Sequence, residues 1–117
     1  MITFTLTTPR ATYEGATIHP GFYPREKPTD PQQIGWQVEH RGEALGTATV
    51  NLWDPPVFPA DRCVFVKITP QFAGWLESLQ VAGLVEPTGR IESAGHVERY
   101  AAECRVLNPG LLVVDDQ

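Results

Sequence analysis

The chain has 117 residues and a formal net charge of −5, with 42% apolar and 20% charged residues. A chain of this length buries roughly two-thirds of its unfolded surface, so we expect residues 1–117 to form a single domain. No apolar run approaches the roughly 20 residues of a membrane span, and the first residues lack a signal-peptide pattern, so we expect a cytoplasmic protein. The modest acidity disfavours direct binding to nucleic-acid phosphates.

The first third of the sequence combines a strand pattern with a proline-rich segment. Residues 2–8 alternate isoleucine, phenylalanine and leucine with threonine, which predicts a strand with one apolar face. Residues 9–33 contain five prolines, and proline removes the backbone donor that a regular ladder needs. We therefore expect a long ordered loop over 9–33, fixed to the domain by Phe22 and Tyr23, with room for a short strand at 16–19. Loops of this length are often functional.

Residues 34–52 carry the clearest hairpin pattern. A three-residue loop at 40–42 would place Trp36 opposite Gly46, so that the indole covers the glycine. A two-residue loop at 41–42 is the alternative, and it avoids the pairing of two glutamates that the longer loop implies. We prefer the three-residue loop because a glycine opposite an indole fills the space above the sheet.

Residues 63–82 predict a buried strand followed by a helix. The strand at 63–68 is apolar on nearly both faces, which favours a central position in a sheet. Thr69-Pro70 is typical of a helix start, with threonine as the N-cap and proline at the first helical position. Five residues at helical spacing then form one apolar stripe: Phe72, Trp75, Leu76, Leu79 and Ala82. Gly83 ends the helix, and Leu84 can contact Leu79 as part of a glycine C-cap.

The last part of the chain predicts further strands. Residues 87–89, Pro-Thr-Gly, indicate a turn. Strands are expected at 90–94 and 97–107, and a short terminal strand at 111–114. The fold class that follows is α+β, with one antiparallel sheet of about five or six strands and a single helix packed on it.

The sequence offers little support for a catalytic or metal site. Cys63 and Cys104 lie in apolar runs, which favours buried, reduced thiols over a disulfide. The histidines adjoin proline or glycine in predicted turns, without the spacing of a zinc site. We therefore expect no metal, no cofactor and no enzymatic activity. A small metal- or thiol-dependent enzyme that uses Cys63, Cys104 and His96 remains the alternative.

Several short motifs in the second half of the chain carry a resemblance. They are Val-Phe-Val-Lys at 64–67, Gly-Leu-Val-Glu-Pro-Thr-Gly-Arg at 83–90, Ser93 and Gly95, and Cys-Arg at 104–105. This pattern resembles small uncharacterised proteins of bacterial plasmids, integrative elements and prophages. The resemblance implies a protein of a mobile genetic element. By analogy it implies an inhibitor of a bacterial defence system such as CRISPR–Cas, with a plasmid-maintenance accessory protein as the alternative.

Aromatic residues beside prolines suggest a surface for a host or defence-system protein. A backbone that proline already restricts loses less entropy on association, and aromatic side chains contribute strongly to protein interfaces. We expect the main contacts and an acidic rim to come from seven residues: Phe22, Tyr23, Trp53 and Phe58, with Glu39, Glu43 and Asp54 as the rim. The alternative is that the aromatic side chains only fix the loops to the sheet.

Overall fold

A computed structural model describes residues 1–25, 27–52, 57–93 and 100–114. In this part of the chain, seven strands form two antiparallel sheets beside one α-helix, which confirms the α+β class. None of the helices among these residues is long and apolar enough to cross a membrane.

The four-stranded sheet and the three-stranded sheet of the described residues follow the chain order closely. The first has the order β1-β2-β3-β4 and the second the order β5-β7-β6. The strands are β1 Ile2–Thr7, β2 Thr12–Phe22, β3 Ile34–His40, β4 Glu43–Thr47, β5 Cys63–Lys67, β6 Val85–Ser93 and β7 Tyr100–Val106. The helices are α1 at Trp75–Val81 and two 3-10 helices at Pro70–Phe72 and Pro109–Leu112.

Strand β2 corrects the prediction of a loop over 9–33, which is wrong for residues 12–22. Pro20 lies in this strand and pairs with Trp36 of β3. The main-chain N–H of Trp36 donates to the Thr49 hydroxyl, and its main-chain carbonyl accepts from the N–H of Ala48. Both main-chain groups of Trp36 therefore point away from β2. Pro20 also lies beyond Ile2–Ile18, the last pair of β1 with β2. The N–H that proline lacks is therefore required on neither side.

The hairpin between β3 and β4 has the two-residue loop, so the preferred three-residue loop is wrong. His40 pairs with Glu43, and Arg41 and Gly42 form the turn with φ angles of 53° and 80°. A bulge then shifts the register before Val38 pairs with Gly46. An aromatic side chain does cover this glycine, but it belongs to Trp75 at the start of the helix.

The predicted helix start and the predicted terminal strand are also corrected. Thr69 and Pro70 open the first 3-10 helix, and α1 begins only at Trp75, after Gly74 in the left-handed region. A Cβ on Gly74 would collide with the carbonyl oxygen of Thr7 on β1, so only glycine allows this close approach. Residues 109–112 form the second 3-10 helix instead of a strand, and the Leu111 carbonyl there accepts the indole N–H of Trp36 at 3.0 Å.

The predicted end of the helix is confirmed. Gly83 has φ of 73°, its N–H bonds to the Gln80 carbonyl, and the N–H of Leu84 bonds to the Leu79 carbonyl. This is the pattern of a glycine C-cap in which the residue after the glycine folds back onto the last turn. Leu79 and Leu84 are both buried in the main core.

Strand β6 contains a bulge where the sequence predicted a turn. Between the pairs Pro87–Cys104 and Ile91–Ala102, three residues of β6 oppose the single residue Glu103 of β7. The Pro-Thr-Gly signal therefore interrupts a ladder without ending the strand, because β7 continues as a template on both sides of the interruption.

Both sheets and the helix contribute to one main hydrophobic core. Its buried members include Leu6 and Trp36 from the first sheet, Val66 and Cys104 from the second, and Leu79 from α1. A smaller cluster of Leu52, Phe65 and Ala101 lies on the other face of the second sheet. The alternation along β7 divides its residues between these two clusters, since successive side chains of a strand point to opposite faces.

Trp75→Ala should lower the free energy of unfolding by about 3–5 kcal/mol, because truncating a buried large aromatic removes packing and leaves a cavity. Trp75 is 6% exposed and contacts the ring of Phe72 edge-on, with 4.9 Å between the ring centroids. Val81→Ala is the matched control, since Val81 lies on the same helix and is 90% exposed. Chemical denaturation measures both variants. Equal stabilities would contradict the placement of Trp75 in the core.

Candidate binding cleft

A cleft of about 290 Å³ lies where the end of the proline-rich segment 9–33 meets the segment that begins at Pro59. One wall comes from residues 31–34, which end at the first residue of β3, and another from residues 59–65, which include the start of β5. Pro31 and Pro59 thus line the same cleft although 28 positions separate them in the sequence. We call this site the cleft below.

The cleft combines apolar walls with an exposed aromatic neighbour. Ile34, Val50, Phe65 and Leu112 line it. Phe22 pairs directly with Ile34 in the β2–β3 ladder and is 54% exposed. Because directly opposed residues of two strands share a face, Phe22 extends the apolar surface beyond Ile34.

Gln33 brings an unpaired polar group to the cleft. The residue lines the cleft, is only 8% exposed, and accepts the N–H of Tyr23 at its main-chain carbonyl. Its side-chain amide has no hydrogen-bond partner among the described residues. No described side-chain N or O atom that is sealed from solvent lacks a partner, so the amide atoms of Gln33 remain in contact with solvent.

Tyr23 fixes the 31–34 segment to the sheet. Its ring lies across β3 where Gly35 has no side chain, and its hydroxyl lies 2.9 Å from the Thr49 hydroxyl. Its carbonyl accepts from the side-chain amide of Gln32 at 2.9 Å. Burial raises the pKa of Tyr23, although the bond to Thr49 acts in the opposite direction. Tyr23 is therefore half-buried and structurally engaged, while Phe22 beside it is free to make contacts.

A buried carboxylate fixes the other wall of the cleft. Glu103 is 5% exposed and accepts the main-chain N–H of Ala60 at 2.9 Å, the hydroxyl of Thr88 at 2.7 Å and the guanidinium of Arg90 at 2.9 Å. Arg90 also donates to the Phe58 carbonyl at 3.3 Å. The bulge of β6 supplies two of these donors, and so it ties residues 58–60 to β7. We call this group of contacts the Glu103 clamp.

The Glu103 clamp keeps the carboxylate charged. Burial acts to raise the pKa of Glu103, but the donors from Ala60, Thr88 and Arg90 together outweigh it, so the pKa lies below its ordinary value. Arg90 lies over the ring of Phe65, 5.4 Å from its centroid, which adds a cation–π contact at the base of the cleft.

The two cysteines are free thiols on opposite faces of the second sheet. Cys63 lies opposite Arg105, and Cys104 lies opposite Val64, one position further along the ladder. Burial raises the pKa of both thiols, that of Cys104 to about 12. A thiolate is therefore disfavoured at both positions. No group of residues able to hold a metal ion occurs in the described ranges, and His96 lies outside them.

The structure brings together only part of the predicted contact surface. Phe22 and Phe58 lie beside the cleft, next to Ile34 and Pro59, which line it. Trp53 and Asp54 lie outside the described residues. The predicted rim residues Glu39 and Glu43 lie away from the cleft: Glu39 binds His19 at 3.2 Å, and Glu43 pairs with His40.

Register explains this displacement. Phe22 pairs with Ile34 and Glu43 with His40, at opposite ends of β3. Six residues of strand separate the two positions by about 20 Å. Gln33 was not predicted, because nothing in the sequence distinguishes a glutamine that becomes largely buried on folding from an exposed one.

Comparisons with protein-family models, with curated proteins and with solved structures found no match.

Gly35→Ala should destabilise the protein by about 1–3 kcal/mol, because the added methyl overpacks the site where Tyr23 crosses the strand. The new Cβ would lie 2.6 Å from the Tyr23 ring. Gly21→Ala is the matched control, since Gly21 pairs with Gly35 and a Cβ there meets no described atom within 4 Å. In a Tyr23→Ala background, the effect of Gly35→Ala should disappear. A persistent effect, measured by thermal denaturation, would contradict the contact.

Glu103→Gln should lower the free energy of unfolding by about 1–3 kcal/mol at pH 7, because hydrogen bonds to a charged group are lost in a buried site. Since folding lowers the pKa of Glu103, its contribution is complete above the unfolded-state pKa of about 4.3. The contribution should be lost as the pH falls through the folded-state pKa.

The control for the Glu103 clamp is Glu86→Gln, which removes an exposed ion pair with Arg105 from the same two strands. We expect this control to change stability by less than about 1 kcal/mol. Denaturation curves at several pH values measure both variants. A difference between the parent and Glu103→Gln that does not depend on pH in acid would refute the role of the charge.

Proposed function

We propose that this protein is a non-enzymatic binding factor that captures a partner protein at the cleft. The observation that carries the proposal is the convergence of two segments that begin at Pro31 and Pro59 on one opening, with the exposed ring of Phe22 beside it. Walls fixed by Tyr23 and by the Glu103 clamp lose little entropy on association, which favours binding. An exposed aromatic side chain at the edge of such a site is a typical anchor for an interface.

We propose further that the partner is a host or defence-system protein and that the factor serves a mobile genetic element. The support is the resemblance carried by the motifs between residues 64 and 105. In this role the protein inhibits a bacterial defence complex such as CRISPR–Cas by occupying one of its surfaces. A plasmid-maintenance role would use the same cleft on a replication or conjugation protein, so the identity of the partner separates the two.

The chemistry of the cysteines weighs against a thiol enzyme. Both thiols have a raised pKa, and they point to opposite faces of the sheet. A nucleophilic cysteine requires the reverse, namely a lowered pKa in an electropositive surrounding. Cys63 does line the cleft, and its proposed part there is to pack against a bound partner.

Phe22→Ala should weaken capture of the partner by at least about fivefold while leaving the fold intact, because truncating an aromatic anchor of an interface costs more than about 1 kcal/mol. Tagged parent protein is first used to isolate and identify the partner from host lysate. Affinities are then measured with the purified partner by calorimetry. Phe22→Ala alone is the informative change, because Tyr23 also holds the sheet together through Thr49.

Val81→Ala is the control for this measurement, since Val81 is an exposed apolar residue of α1 outside the cleft. It should bind like the parent. If Phe22→Ala also binds like the parent, the cleft is not the contact surface. A captured defence subunit supports the anti-defence role, and a captured replication or conjugation protein supports the maintenance role.

A further inference from the structure

We propose that the cleft binds an extended peptide segment of the partner, with the side-chain amide of Gln33 hydrogen-bonded to the peptide main chain and an apolar peptide side chain against Ile34 and Leu112. This inference rests on the proposed function and names the chemistry of its partner. It makes Gln33 the residue that recognises the main chain.

The side-chain amide of Gln33 lacks a partner within the described chain, and this supports peptide binding. This group carries two donors and an acceptor, yet it bonds to nothing in the described part of the chain, although the residue is more than nine-tenths buried. A peptide bond offers one acceptor and one donor, which match the amide of a glutamine side chain. Binding a peptide would therefore replace solvent as the hydrogen-bond partner of an amide that no described protein group pairs.

The size of the cleft also supports a peptide as its occupant. At about 290 Å³, it lies at the lower limit of roughly 300–1,000 Å³ for sites that hold drug-sized ligands. One amino-acid side chain with its flanking main chain fills such a volume, whereas a larger cofactor would not fit. Ile34, Val50, Phe65 and Leu112 favour an apolar side chain here, while Asp61 and Arg62 add polar groups to the lining.

A nucleobase is the competing occupant, because a glutamine amide can also make two hydrogen bonds to adenine. Binding of single bases relies on stacking against an accessible aromatic face. The aromatic ring that lines the cleft belongs to Phe65, which is 1% exposed and has Arg90 over its face. The described lining residues therefore present no stacking surface, since the exposed ring of Phe22 lies outside the lining. The net charge of −5 does not attract phosphates. These observations favour a peptide.

Titration with a model compound tests this inference without the partner. N-acetyl-leucine N-methylamide presents one apolar side chain between two peptide bonds, and its methyl ester analogue lacks the carboxyl-side N–H. Amide shifts in two-dimensional NMR report binding by residue. We expect shifts at Ile34 and Cys63, with the ester binding roughly threefold to tenfold more weakly than the amide, as the loss of one hydrogen bond requires.

Gln33→Met keeps the side-chain length and removes the amide, so it should abolish the difference between the amide and the ester. Its thermal stability should equal or exceed that of the parent, because no protein hydrogen bond is lost. Gln37→Met is the matched control: Gln37 lies on β3, is exposed and lines no part of the cleft. It should preserve the difference.

Three results would overturn the inference: no shifts at the cleft, an amide-to-ester ratio that Gln33→Met leaves unchanged, or stronger shifts with adenosine than with the leucine amide. If Phe22→Ala weakens partner capture while any of these results holds, the proposed function stands and peptide recognition by Gln33 falls. If the leucine amide binds as expected but the parent captures no partner, peptide recognition stands and the proposed function falls.

Discussion

The main chain of residues 48–50 connects the two sheets, and the rest of the structure depends on it. Ala48 donates its N–H to Trp36 in the first sheet and accepts from Lys67 in the second. Two residues later, Val50 donates to Phe65. The strand β5, which ends the three-stranded sheet in the described residues, is therefore hydrogen-bonded on both sides. One short segment satisfies backbone groups in both sheets, and this fixes their separation over the shared core.

Thr49 extends this connection to the cleft. Thr49 is 1% exposed, and its hydroxyl interacts with both the main-chain N–H of Trp36 and the hydroxyl of Tyr23. The bond to Trp36 lies where the ladder between β3 and β4 ends. The bond to Tyr23 holds the segment that carries Gln33, because the N–H of Tyr23 bonds to the Gln33 carbonyl. On the opposite wall, the Glu103 clamp holds residues 58–60 by an independent set of bonds. The two walls of the cleft are thus held for different physical reasons. A neutral pair of hydroxyls, from Thr49 and Tyr23, holds one wall, and the charged carboxylate of Glu103, opposite the bulge of β6, holds the other.

Local signals in the sequence predicted the parts of the fold that depend on neighbouring residues. Gly83 and Leu84 ended the helix as expected, because a C-cap involves only the last turn. The strand that contains Pro20 could not be predicted, because it depends on Trp36 directing its polar groups towards residues 48 and 49. The bulge in β6 was predicted as a turn because it also depends on a distant residue, namely Glu103 on β7. Of the candidate site, Phe22 and Phe58 were identified, but Gln33 depends on burial that only the assembled fold creates.

The bulge opposite Glu103 also affects how the protein behaves at high concentration. Strand β6 forms one edge of the three-stranded sheet in the described chain, and its residue Ile91 is 52% exposed. A regular edge strand with an exposed isoleucine is a template for pairing with another molecule. The three residues that oppose Glu103, one of them a glycine with φ of 95°, are two more than a regular ladder holds there, and they bend this edge and break its hydrogen-bonding repeat. The same distortion that holds the buried carboxylate therefore protects the protein against edge-to-edge polymerisation.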